Sequence, residues 1–440
     1  MTHKQPDYMT EMIAQIREHF ESDEARLNGS VSEDLHDIRR KAFRHFEEQG
    51  LPTRKNEEYK FTDLSRVYLK FKDIAPVEGG GKAPETSGIE GLEANVVVTV
   101  NGRYMPDLSD IRDENLLVMP LSDALRDHKE AREHYGAYAT ADKDPLLALN
   151  TAFAHNGLYI HLAKNVRLKH PVIVHHQTDA TEKMLSYSRN LVVGESGAEA
   201  VFIEKFESAG NADFLSNLVT EIRVNANASL KWFKLQSDGA QSHMVDQLYV
   251  HQERDSRFSA TTLTLDGNTV RNNVYIAIDG ENCESHLYGL YAIDGSTHVD
   301  NHTAVDHLKP HSFSNELYKG ILDDKAGGVF NGKVFVRQDA QKTNAFQSNK
   351  NILLSDTATV NTKPQLEIWA DDVSCSHGCT TGQLDEEALF YLRTRGLSEK
   401  TARSLLLYAF ALEAVEHIEI EPLRVYMEEL ISKKLNYHAE

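Results

Sequence analysis

Apolar positions change their period twice along this chain. Over residues 5–72 they recur at helical spacing: Tyr8, Met12, Ile16 and Phe20, then Leu35, Ile38, Ala42, Phe43 and Phe46. Gly50-Leu51-Pro52 stops the second run. The stretch from Glu78 to Gly88, with consecutive glycines and a proline, reads as a flexible linker. From about Asn95 to Val373 the period is two. Val96, Val98 and Val100 alternate, as do Leu158, Ile160 and Leu162. Short apolar runs follow at Val172–Val174, Leu191–Val193, Val201–Ile203 and Val334–Val336. Asp-Gly turn signals begin at 238, 266, 279 and 294.

Many short strands separated by turns predict an all-β unit. About 280 residues are too many for one sandwich of about 100. The expectation is a stacked β-helix, in which each coil buries its inner face on its neighbours. No exact repeat marks the coils. A helical insertion is expected near 121–155, around Leu146, Leu149 and Phe153.

The last stretch turns helical again. Asp385 is an N-cap followed by two glutamates, and Gly396 is a stop. Ser398 caps a second helix, and Glu421-Pro422 starts a third. Ala402, Leu405, Leu406, Ala409, Phe410, Leu412 and Val415 make a face too wide for a lone surface helix. Such a face either meets a partner or packs on the chain's own β-domain. The chain thus divides into an N-terminal helical domain and linker (1–90), a β-helix core with the insertion (91–374) and a C-terminal helical domain (375–440).

A formal net charge of −20 argues against nucleic acid and against anionic lipid. There is no apolar run long enough to span a membrane, and the N-terminus lacks the apolar core of a signal peptide. Three cysteines in 440 residues make no disulfide framework. These readings together predict a soluble cytoplasmic protein.

Two of the three cysteines flank one histidine in Cys375-Ser-His377-Gly-Cys379. Thiolate and imidazole suit zinc, copper(I) and iron–sulfur clusters. On a strand all three side chains would share one face. A closed zinc site needs four ligands, and no second Cys/His pair lies nearby. The other reading is a polar hinge with one buried thiol. Asp371 and Asp372 could orient His377, or be solvated charges at a strand end. His298, His302, His307 and His311 form two pairs spaced four apart. On a strand such pairs lie about 13 Å apart, so surface or inter-coil histidines are the better reading. The Gly79–Lys82 stretch does not fit a phosphate loop, and no nucleophile-elbow motif occurs.

Several segments carry a resemblance. They are Leu317-Tyr-Lys-Gly-Ile-Leu322, Ala340-Gln-Lys-Thr343, Asn351-Ile-Leu-Leu-Ser355, Pro364-Gln-Leu-Glu-Ile368, Ala370-Asp-Asp-Val-Ser-Cys-Ser-His-Gly378 and Phe390-Tyr-Leu-Arg-Thr-Arg-Gly396. In this order they resemble the C-terminal core of the SufB/SufD family of the SUF iron–sulfur cluster assembly system. Gly50-Leu-Pro-Thr-Arg-Lys-Asn-Glu-Glu-Tyr-Lys-Phe-Thr62 and Cys375-Ser-His-Gly378 resemble the SufD side of the family. So does the absence of a thiol in Gln347-Ser-Asn-Lys-Asn351.

The resemblance implies a right-handed parallel β-helix core flanked by N-terminal and C-terminal helical domains. It implies a scaffold subunit with no catalytic residue and no permanently bound cofactor. A SufC-like ATPase would dock on the C-terminal helices, for which Phe390, Tyr391, Leu405, Leu406 and Phe410 are the candidates. A SufB-like subunit would meet the β-helix edge, and His377 would help hold a transient iron–sulfur cluster there, with Cys375 and Cys379 as further candidate ligands. Because the two related subunits share that interface, the same edge also offers a homodimer for the isolated chain, a choice the sequence leaves open. Where the family usually has alanine, this chain has Cys379. Two alternatives are a stand-alone zinc protein and a β-helix carbohydrate-active enzyme.

Overall fold

The computed structural model describes residues 7–27, 32–77, 79–82 and 88–437. Among them the chain forms a ten-stranded and a nine-stranded sheet, wound as a parallel β-solenoid with helices at both ends. Successive long strands fall alternately in the two sheets. Each pairs in parallel with the strand one coil later, as Glu284–Ile293 does with Phe313–Leu322 and His298–His307 with Gly327–Val336. The stacked β-helix expected from strand number and length is the fold.

Inward-facing side chains stand in register, one above the next. Val172, Phe202, Trp232, Ala260 and Leu287 form one such column in the ten-stranded sheet, and all five are buried. A single coil has no inner layer of its own, so each apolar residue is covered by its neighbours above and below. Truncating a large member such as Trp232 to alanine would cost about 3–5 kcal/mol.

The coils share a corner that the sequence disguises. Asn227, Asp255, Asn282, His311 and Lys342 all have φ between 57° and 64°. Each donates its N–H to a carbonyl of the following coil. The corner requires a left-handed residue, which Asn and Asp adopt most readily, and not one residue type. Spacing also varies, with 27 residues between Asp255 and Asn282 and 31 between Tyr318 and Asn349.

Two helical units cover opposite outer faces. Helices Asp7–Leu27 and Glu33–Gln49, with the insertion helix Pro145–Phe153, pack over Leu185, Leu215 and Val245 of the nine-stranded sheet. Phe20 and Phe43 stack at 4.2 Å, and Phe153 meets Phe20 edge-on. Of the expected first run, Met12, Ile16 and Phe20 are buried, while the side chain of Tyr8 lies outside the described residues. So does part of the expected linker, at 78 and 83–87. Helices at Leu121–Asp127, Lys129–His134 and Pro145–Phe153 occupy the expected insertion. A buried pair staples it down. Arg189 donates to Glu221 at 2.7 Å and to Thr151 and the Ala139 carbonyl. Glu221 in turn accepts from the backbone of Gly136, Tyr138 and Ala139.

The C-terminal helices are Glu386–Thr394, Glu399–Leu412 and Glu421–Lys434, with Asp385 and Ser398 capping the first two. Leu407, Ala411, Val415, Leu423, Met427 and Ile431 pack on Ile203, Phe233, Leu263, Leu290 and Ile321, the outer face of the ten-stranded sheet. Most of the wide apolar face is therefore used on the chain's own β-domain. The solenoid also runs past the boundary expected at 375, because Ser374–Gly382 is a strand. No helix among the described residues is long and apolar enough to cross a membrane.

Candidate functional site

Ser374–Gly382 is the last strand of the ten-stranded sheet. It pairs with Asn344–Leu353 on one side, and with no strand on the other among the described residues. Thr359–Ile368 holds the same terminal place in the nine-stranded sheet. The solenoid thus ends in a coil with two free edges.

Cys375 packs near Val334, Val336, Ala340 and Ala345, so its face of the strand looks into the last coil. Alternation puts His377 and Cys379 on that same face. Register sets them over Gln347 and Asn349. Cys379 Sγ lies 3.0 Å from the Thr362 hydroxyl across the coil. Burial pushes the half-buried Cys375 thiol up, while His377 and Cys379 are exposed.

The three side chains make a row, not a cluster. All three cysteines of the chain are free. On a strand, Cys375 and Cys379 have Cα atoms about 13 Å apart, beyond the reach of a disulfide. Among the described residues the row does not converge as a metal-ligand set. Neither aspartate before it hydrogen-bonds His377 among the described residues, and Asp372 pairs with Lys342 one coil back.

Beneath the row the inner column changes chemistry. After Val172, Phe202, Trp232, Ala260 and Leu287 come Glu316, Gln347 and finally His377. Glu316 accepts hydrogen bonds from the Thr303 hydroxyl at 2.7 Å and from Gln347 Nε2 at 3.2 Å. Burial pushes its carboxyl up to about 7 despite these two bonds. Glu316 Oε1 and Gln347 Oε1 are buried without a hydrogen-bond partner. This column turns polar two coils before the end, while Val334, Val336, Ala340 and Ala345 keep the interior beside it apolar.

The histidine run resolves into separate roles. His298 meets the Thr62 hydroxyl, His302 sits on Asp300 and near Glu58, and buried His307 contacts Ser314. His311 is a corner residue. The spaced pairs therefore do not chelate.

Sequence reasoning missed the work of Glu57, Glu58 and Thr62. This segment lies across the outer face of four coils. Glu58 bonds Lys333 and Arg271 reaches its carbonyl, Thr62 bonds Asp300, and Glu57 bonds Lys363 in the last coil. The His302 imidazole, ahead of Lys333, holds the Glu58 carboxyl down to about 2. Two adjacent acids beside a helix stop, with lysines 333 and 363 one coil apart, were the available signal.

The five expected docking residues divide. Phe390 and Tyr391 are 67% and 56% exposed on the first C-terminal helix. Leu405, Leu406 and Phe410 are half-buried, and the last two pack toward the sheet. The Phe410 carbonyl accepts from Lys319 Nζ at 2.7 Å.

A parallel solenoid with an open last coil, a row of thiol and imidazole groups there, and exposed aromatic residues on the first C-terminal helix define a β-solenoid protein flanked by helical units. The family model for the SufBD core domain of the SUF system of FeS cluster assembly matches residues 175–410, and that for the SufBD protein N-terminal region matches 10–174. The chain belongs to the SufBD family. It is 33% identical over 393 residues to the iron–sulfur cluster assembly protein SufD of Escherichia coli, covering 88% of this chain and 90% of that one. It is 31% identical over 395 residues to an iron–sulfur cluster assembly SufBD family protein of Synechocystis, covering 87% of each. SufD of Bacillus subtilis is 26% identical over 332 residues, covering 74% of this chain and 75% of that one.

Proposed function

We propose that this chain is a SufD-like scaffold subunit in iron–sulfur cluster assembly, non-catalytic, with the cluster as cargo and not as a resident cofactor. The open last coil carries this reading. It presents His377 between two thiols on an unpaired edge, in a row that one chain does not close around an ion. Iron–sulfur clusters accept histidine in place of cysteine. A SufB-like subunit pairing along the free edge would bring thiolates to His377 and complete the site. Unpaired strand edges favour such addition, and in isolation two copies of this chain would pair the same way. Phe390 and Tyr391 offer a SufC-like ATPase an aromatic patch. ATP turnover there would shift the subunits and expose the buried interface to iron and sulfide.

A self-contained zinc site at 375–379 has no support in this geometry, and a polysaccharide-cleaving enzyme none in the family. The test is His377→Ala in the reconstituted complex with both partners. Assembly should persist, by size-exclusion chromatography, while cluster formation followed by visible absorbance falls at least several-fold. Normal cluster yield in that variant would sink the proposal.

A further inference from the structure

The opposite end of the solenoid holds a second group of ligand-type side chains. Glu130 comes from the short helix Lys129–His134, His161 from the strand Leu158–Leu162, and Glu195 from the residue after the strand Met184–Gly194. His161 Nε2 lies 3.3 Å from Glu130 Oε2 and 3.8 Å from Glu195 Oε1. One ligand atom from each residue falls within 4.8 Å of the other two. Ligands of a tetrahedral ion with bonds of about 2.1 Å stand about 3.4 Å apart.

Among the described residues no Lys or Arg forms an ion pair with Glu130 or Glu195. Glu195 receives Asn225 Nδ2 at 3.3 Å. All three residues are partly exposed, which leaves a route for an ion and a place for water.

We infer that Glu130, His161 and Glu195 bind one first-row divalent ion, of which Zn²⁺ is the probe, with solvent completing the coordination. The ion would tie the insertion to the outer face of the first coils. One imidazole and two carboxylates suit such an ion better than Mg²⁺, which takes oxygen ligands and keeps its waters.

The test uses the full chain carrying Cys375→Ser, His377→Ala and Cys379→Ser, so that the open end does not compete. Titration calorimetry with Zn²⁺ should give one ion per chain, with a rise in Tm. Adding His161→Ala or Glu195→Gln should weaken binding at least tenfold and abolish the Tm rise. Glu195→Gln is nearly isosteric, and circular dichroism would check that each variant folds. Absence of Zn²⁺ uptake at micromolar concentrations, unchanged binding in both variants, or displacement by tenfold Mg²⁺ would overturn the inference.

Discussion

The two ends of the solenoid meet opposite demands. At the first coil the ten-stranded sheet finishes in the two-residue antiparallel strand Arg103–Tyr104. The nine-stranded sheet finishes in antiparallel Leu116–Pro120. A two-residue strand presents almost no edge, and a strand ending in proline lacks one donor, so neither invites further pairing. Helices of the insertion cover the outer face of the first coils, held by Arg189 and Glu221. At the last coil, strands of nine and ten residues end the two sheets, with no further strand paired to them among the described residues. The inner column there turns from apolar to Glu316, Gln347 and His377. A closed end contributes stability to one chain, whereas an open end leaves backbone donors and acceptors of its last strands unpaired by any other strand among the described residues.

The sharpest way to break this contrast is at the closed end. Arg189→Met would leave the Glu221 carboxylate fully buried and unpaired, at a cost of about 3–5 kcal/mol. Guanidinium unfolding at pH 7 measures it, and a loss under about 1 kcal/mol would show that this end does not carry the stability assigned to it.

A smaller effect is expected beneath the open end. The folded Glu316 carboxyl, at about 7, titrates above its ordinary 4.5. The folded state therefore binds the extra proton between these values. The stability this confers is fully present below pH of about 4.5 and is lost as pH rises through about 7. Glu316→Gln removes that loss, so the variant should gain on the parent between pH 5 and 8. The gain is on the order of 1–3 kcal/mol. Parallel stability–pH profiles for the two chains would contradict it.

The smallest effect is expected at the exposed residues themselves. His377→Ala and Phe390→Ala in the isolated chain should change stability by less than about 0.5 kcal/mol, seen as a near-constant Tm. A loss above about 1 kcal/mol would mean that the open end is packed within the chain, not reserved for partners. With a SufC-like ATPase, Phe390→Ala should weaken binding roughly tenfold or more, read by calorimetry.

Much of the architecture was legible because its causes are local. Alternation at Leu158, Ile160 and Leu162 marks a strand, and Asp385 and Ser398 cap helices with their own side chains. The coil repeat was hidden, since Asn, Asp, His and Lys all serve at one corner. The wide C-terminal apolar face could not be assigned, because a partner and the chain's own sheet bury the same stripe. The four histidines, too far apart on a strand to chelate, meet different partners in the structure: His298 the Thr62 hydroxyl, His302 Asp300 and His307 Ser314.

The sequence by itself determined the element types, the solenoid class and the presence of two thiols around one imidazole. The element types follow from side-chain periodicity within a few residues, and the solenoid class from the number of strands and the length they span. Tertiary structure alone decided that Ser374–Gly382 has a free edge and that Glu316 and Gln347 lie under His377. It also decided that Glu57 reaches Lys363 across 306 positions, and that Glu130, His161 and Glu195 converge. Stacking sets strands about 4.8 Å apart whatever their separation in the chain. Neighbours across coils are therefore fixed by register and coil length, which no local pattern encodes.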